Sequence, residues 1–258
     1  MTRIPTLSAA LTGLALLGVA AFAWTQTAPA AATASAQRPT AAVTDEPVLL
    51  ELFTSQGCSS CPPADRLAGT LALGPGLVVI ARLVTYWDRL GWKDTLARES
   101  NTALQQDYAR RGLAGRNGVY TPQLVVDGRF GVVGSRADDI AAGVKRYGGK
   151  SDAAIRVTKR DADGYAVSLS GTGDGAAELV LIAVTRKVMV GIGSGENGGR
   201  KVAYTNVVRS ERTIAGWKGG KANVAIGADK LNVKGADRYA LVLRAPGGGK
   251  VLAARWIA

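Results

Sequence analysis

VLLELFTSQGCSSCPPAD, residues 48–65, holds both cysteines of the chain and decides how its first half is read. Val48 to Phe53 is a nearly unbroken apolar run, the pattern of a strand covered on both faces. Cys58-Ser59-Ser60-Cys61 follows, and Pro62-Pro63-Ala64-Asp65 then open a helix predicted to run towards Leu73. Two prolines are tolerated in a first helical turn, because its amides lack helical partners. Asp65 in that turn suits the positive end of the helix dipole. The two sulfurs therefore sit at a strand-to-helix corner.

Working outward, Gly74-Pro75-Gly76 stops the helix and Leu77 to Val84 supplies a second buried strand. Thr95 to Arg111 reads as a helix closed by Gly112. Gln123 to Val126 and Phe130 to Val133 flank Asp127-Gly128, a strong two-residue hairpin signal. Ser135 to Tyr147 is a further helix, ended by Gly148-Gly149. The order over residues 47–150 is βαβ, then a helix, then ββα. Past Ser151 the period changes to two: Ile155 and Val157; Tyr165, Val167 and Leu169; Tyr239, Leu241 and Leu243. Glycine-rich turns punctuate these strands, so residues 151–258 are expected to form a mostly antiparallel, sandwich-like β domain. Gly193-Ser194-Gly195-Glu196-Asn197-Gly198 fits G-x-G-x-x-G, but it leads into strand-like Val202 to Val208. A dinucleotide fingerprint must open a helix, so this is a long hairpin loop.

Upstream, Arg3, the apolar run Leu7 to Trp24 and the small residues Ala34-Ser35-Ala36 read as an export signal over residues 1–36. The run is also long enough for an uncleaved membrane anchor. Residues 37–46 read as a flexible leader. The expected location is the periplasm or the extracellular space, where disulfides persist.

Composition narrows the chemistry. The 258 residues contain no histidine, two cysteines and two methionines. Ser-His-Asp and Cys-His catalysis and imidazole metal sites are excluded, as is a four-cysteine zinc site within one chain. No cofactor is expected. The net charge is +12. Residues 37–149 hold 13 Lys and Arg against 11 Asp and Glu, while residues 150–258 hold 18 against 9. The β half is thus the basic one. Its positive residues are scattered along strands and turns, the pattern of a solvated face. With an exported location, that argues against a nucleic-acid partner and leaves acidic partners and anionic envelope polymers or lipids.

A Cys-x-x-Cys pair can be a staple, a metal site or a redox pair. Chain-entropy gain grows with loop size, so a staple this short achieves little. A metal site lacks further ligands. Position favours redox work, because helix amides facing the first sulfur favour its thiolate. Cys58 would attack and Cys61 would resolve the mixed disulfide. Pro62 is expected to push Cys61 out of helical dihedrals. Glu51, the single charge in its strand, is costly to bury unless protonated or paired. It is either a proton relay with a raised pKa or an acid held by an arginine. Trp87 and Trp92 follow the second strand, as a peptide-binding rim or as aromatics sealing the loop.

Glu51-Leu52-Phe53-Thr54-Ser55-Gln56-Gly57-Cys58-Ser59-Ser60-Cys61-Pro62-Pro63-Ala64-Asp65 is followed by Tyr86-Trp87-Asp88, Gly91-Trp92-Lys93-Asp94, Tyr120-Thr121-Pro122-Gln123 and Val126-Asp127-Gly128. Together they resemble the secreted thioredoxin-like family catalogued as domain of unknown function 1223. The likeness extends more weakly through Gly195-Glu196-Asn197 and Asn206-Val207-Val208-Arg209. It implies an α/β thioredoxin-like domain followed by a β-rich extension, but no particular reaction. Leu83 and Thr85 stand where the family often carries His and Asp before Tyr-Trp-Asp, which puts activity of this member in question. The wider thioredoxin likeness implies a cis bond at Thr121-Pro122, facing the cysteines and shaping a substrate groove. It also implies a buried acid relaying protons, the role open to Glu51.

Three functions follow. The first is an exported thiol–disulfide oxidoreductase with protein or small-thiol partners. The second is a non-catalytic envelope interaction module on an inert disulfide. The third is a copper carrier, weakened by the lack of nearby Met and His. Burial of both sulfurs beyond an incoming thiolate would remove the first and leave the second.

Overall fold

Alternating apolar strands and a shared interior organise the protein, seen in a computed structural model. It describes residues 46–257 other than 116, 117, 149, 152 and 174. The export signal expected over residues 1–36, and all of the expected leader but Glu46, lie outside the described residues. Strand β1 (Val48–Thr54) is buried at every position. Helix α1 (Pro62–Leu71) crosses to β2 (Leu77–Leu83), which lies parallel to β1, with Leu50 opposite Val79. Helix α2 (Glu99–Arg110) leads to the hairpin of β3 (Gln123–Val126) and β4 (Phe130–Val133), and α3 (Ala137–Tyr147) follows. The hairpin turn places Asp127 at φ 47° and Gly128 at φ 62°, the pair of positive angles that an Asp-Gly turn supplies. A side chain at Gly128 would bring a Cβ within 2.5 Å of the Gly249 carbonyl oxygen.

The remaining strands are β5 (Ala153–Asp161), β6 (Gly164–Gly171), β7 (Ala177–Gly191), β8 (Lys201–Trp217), β9 (Ala222–Gly227), β10 (Arg238–Arg244) and β11 (Val251–Trp256). The expected fold class, a thioredoxin-like α/β domain followed by a separate sandwich-like β domain, does not form. The protein is mostly β, and one mixed eight-stranded sheet runs β11-β10-β7-β8-β2-β1-β3-β4 through both halves. The join is β8 beside β2, parallel at Ala81 and Val207. Asn206 reinforces it by donating its side-chain amide to the Val79 carbonyl at 2.8 Å. The flank of β2, which a self-contained α/β domain would leave as an edge, is therefore covered. Period-two patterning identifies a strand but not its neighbour, and this is why the sequence suggested two folds.

Three of the apolar cores show the layering. Leu50, Leu52 and Val79 pack with Ala64 and Ala68 of α1. The small sheet β5-β6-β9 covers one face of the C-terminal strands, where Ile155, Val167 and Leu169 meet Leu179, Leu181 and Leu241. A third cluster unites Leu49, Val78 and Ile80 with Val180, Ile182, Val242, Val251 and Ala254. It brings β1 against β11, five places away in the strand order. The sheet therefore curls on itself. Register shifts in β7 and β8, after Leu179 and after Ala183, add the twist that such a bend requires. Val251 N–H donates to the Asp127 carbonyl at 2.9 Å, closing the curl.

An ion cluster lies buried at the join. Arg82 donates to Glu51 at 2.7 Å and pairs with Glu211, also at 2.7 Å. Arg244 pairs with Glu211 and lies 3.9 Å from Glu51, while the Tyr108 hydroxyl donates to Glu51. Burial pushes Glu211 up, but Arg82 and Arg244 together hold it below the ordinary carboxylate range. Charges this deep are tolerable only because each has an opposite partner. Replacing Arg82 with Met leaves Arg244 as the single cation for both Glu51 and Glu211. The expected loss is about 3–5 kcal/mol, read as a lower denaturant midpoint. An unchanged midpoint would mean that the cluster contributes nothing to folding.

Candidate functional site

Beyond Thr54 the chain turns through Ser55–Ser60 and enters α1 at Cys61. Cys58 N–H donates to Ser55 O at 3.2 Å and Cys61 N–H to Cys58 O at 3.1 Å, so the corner is two tight turns. Cys61 caps the helix with φ −80° and ψ −35°. The expected displacement of Cys61 from helical dihedrals by Pro62 does not occur. Cys58 and Cys61 form a disulfide with Cα atoms 5.4 Å apart. Both residues are 0% exposed, although Ser59 and Ser60 between them face solvent.

The residues expected to shape a substrate groove do gather here. The Thr121–Pro122 peptide is cis, and the Ser60 hydroxyl lies 3.5 Å from the Thr121 carbonyl. Trp87 donates its indole N–H to Thr121 Oγ1 at 2.8 Å. It packs with Phe53 and Val84, while its Cβ lies close to Gly57. Pro122 is buried and Trp87 half-buried, so the two seal the corner.

Glu51 is not at the corner. Leu50 and Leu52 face α1, and strand alternation turns Glu51 to the other face, where Tyr108 of α2 and Arg82 hold it. Its carboxylate has no route through the sheet to Cys61. The arginine-held alternative describes it.

Other side chains that the sequence reading passed over surround the disulfide. Asp94 accepts from Gln56 N–H and Leu96 N–H, each at 2.8 Å. Gln56 accepts from the Trp92 indole at 2.8 Å. From the β7–β8 loop, Asn197 donates to Gln56 O at 2.9 Å and to Cys58 O at 2.8 Å. Glu196 accepts from Ser59 N–H at 3.0 Å, and the Ser59 side chain, followed by that amide, holds its carboxyl below the usual range. The hairpin tip thus clamps the cysteine loop across 139 residues of chain. Gly195-Glu196-Asn197 belonged to the family likeness, but nothing local assigned it a contact.

Asp65 is a second buried acid on the disulfide's side of the sheet, with Asp94. Thr54 Oγ1 donates to it at 2.8 Å, and its other carboxylate oxygen has no partner. Burial pushes it up to about 8, against the lowering effect of Thr54 and with Asp94 adding repulsion.

The family model described as protein of unknown function (DUF1223) matches residues 49–244. The chain belongs to this family. A crystal structure of an Agrobacterium tumefaciens protein is similar at 30% identity, covering 81% of this chain and 93% of that one, with a TM-score of 0.68. HBP35 of Porphyromonas gingivalis aligns at 13% identity over 82% of this chain and 74% of its own, with a TM-score of 0.48. No curated protein matches. Membership in the family brings the cysteine corner and the Gly195-Glu196-Asn197 tip within one matched region, without assigning either a reaction.

Burial of Asp65 makes stability depend on pH. A carboxyl that keeps its proton when folded and loses it near 3.8 when unfolded favours folding most below that pH. The advantage declines as pH rises from about 4 and is lost above about 8. Asp127, pushed up to about 7 chiefly by burial, acts in the same direction. Asp65→Asn should flatten the decline in denaturation free energy across this window. A slope equal to that of the native protein would show that Asp65 ionises normally in the fold.

Proposed function

We propose that the chain is an exported, non-catalytic binding module whose Cys58–Cys61 disulfide is a fixed closure of the β1–α1 corner. The carrying observation is the complete burial of both cysteines beneath a clamped loop. Thiol–disulfide exchange needs a thiolate to reach a sulfur. A pair with no exposed surface offers no approach in this closed form. The position of Glu51 supports the same reading, since the expected proton relay lies on the far face of the sheet, engaged with Arg82. In this role the disulfide orders the loop that receives Asn197 and presents Ser59 and Ser60.

A second reading, a thiol–disulfide oxidoreductase opened by movement of the hairpin tip, is favoured by Asp65. This acid lies in the first turn of α1, its amide bonded to the Cys61 carbonyl at 3.1 Å, and near neutral pH it retains a proton. The two readings differ in how the pair responds to a thiol. A structural disulfide stays oxidised in a glutathione buffer at about −200 mV and is reduced only as the protein unfolds. The expected outcome is therefore reduction by glutathione that is no faster than global unfolding, for both the native protein and Asn197→Ala. Rapid exchange in the native protein, or strong acceleration by Asn197→Ala without loss of stability, would overturn the module and establish the gated enzyme.

A further inference from the structure

Arg66, Gly69 and Thr70 form one stripe of α1, and Leu73 follows in the turn that ends the helix. The stem of the β7–β8 hairpin stands opposite, and the two enclose a groove of about 510 Å³. Its walls carry four cations from distant parts of the chain: Arg66, Arg186, Lys187 and Arg238. Among the described residues, none of the four makes an ion pair within 4.0 Å. Asp237 stands nearby: its carboxylate accepts the backbone N–H of Arg186 at 2.7 Å, and its charge offsets part of the cationic field at Arg238. Partial burial, followed by the charge of Arg186, holds Arg238 below the ordinary guanidinium range. Asp65, the carboxyl in the wall, keeps its proton up to about pH 8 and does not neutralise the cations at neutral pH.

The groove is also long and partly apolar. Two further depressions, of about 480 and 460 Å³, share Arg238 with it and run past Trp256. Arg238 stacks 3.8 Å from the Trp256 ring centroid. Leu73, 87% exposed, lines both the main groove and one of its extensions. Cations and apolar footholds thus share the walls of a channel too extended for a compact anion. A phosphate polymer would meet the cations but leave Leu73 uncovered. Carboxylates interleaved with aliphatic side chains meet both.

We propose that this groove binds an extended, acidic and aliphatic peptide segment of a partner protein. The proposal rests on the binding-module reading and names the partner's chemistry. Arg66 and Arg186 receive carboxylates from opposite walls, and Leu73 takes an aliphatic side chain between them. The net charge of +12 accelerates encounter with such a segment.

The test uses the full chain and a fluorescein-labelled peptide of Glu and Leu residues, read by anisotropy. Saturable binding is expected, weakened about tenfold or more by Arg66→Glu/Arg186→Glu, whose like charges then repel the peptide. Leu73→Ser should weaken it about threefold through lost apolar contact. These positions are exposed, and an unchanged circular dichroism spectrum confirms that the variants fold. Absence of saturable binding, or indifference to the double charge reversal, overturns the proposal. So does equal binding of a Lys and Leu peptide. Displacement by inorganic polyphosphate, together with native affinity in Leu73→Ser, would also overturn it by showing a general polyanion surface. Glutathione exchange measured on the same variants keeps the two readings apart. Peptide binding beside a fast-exchanging pair would retain the groove and remove the module, and an inert pair without peptide binding would do the reverse.

Discussion

Three buried charges and the half-buried Glu211, at the meeting of β1, β2, β8 and β10, are the constraint on which the architecture rests. Glu51 and Arg82 come from the first third of the chain, Glu211 and Arg244 from its last fifth. Each would be prohibitively costly to bury alone. Arg82 pairs with Glu51 within the N-terminal strands, and β8 brings Glu211, which Arg82 and Arg244 hold together. Leu49, Ile80 and Val242 lie two places from Glu51, Arg82 and Arg244 on the same strand faces, so this apolar cluster packs beside the polar knot. Apolar burial supplies most of the driving force, and the charges select which strands meet.

That selection also builds the cysteine corner. With β8 beside β2, the β7–β8 hairpin projects over α1, and its tip reaches the loop before the helix. Asn197 then satisfies the Gln56 and Cys58 carbonyls, which lie at 0% exposure in a turn with no strand partner. The same hairpin supplies one wall of the cationic groove through Arg186 and Lys187. The clamp on the disulfide and the groove beside it are thus two products of one strand pairing.

Local patterning made much of this legible. The apolar run at Val48–Phe53, the double proline at 62–63 and the Asp127-Gly128 turn each marked an element that forms. The cysteine pair and Thr121-Pro122 were recognisable from their motifs, and they do meet in space. What stayed hidden was non-local. Whether Glu51 points towards α1 or α2 depends on register across the sheet, and its partner Arg82 is equally silent in sequence. The continuity of the sheet rests on the single step from Ala81 to Val207, which no periodicity announces. Charge was hidden in the same way: Arg66, Arg186, Lys187 and Arg238 look scattered along the chain, and only the fold draws them together.

The Ala81–Val207 pairing carries a further cost in time. During synthesis β2 emerges 126 residues before the strand that will cover its flank. Until then the nascent chain holds an open sheet edge, with the Glu51–Arg82 pair in place but without Glu211 and Arg244. Such an edge invites association with other chains, and a pairing so distant closes slowly. The molecule is therefore most vulnerable when it is nearly complete, and it depends on its last strands arriving before a neighbour takes their place.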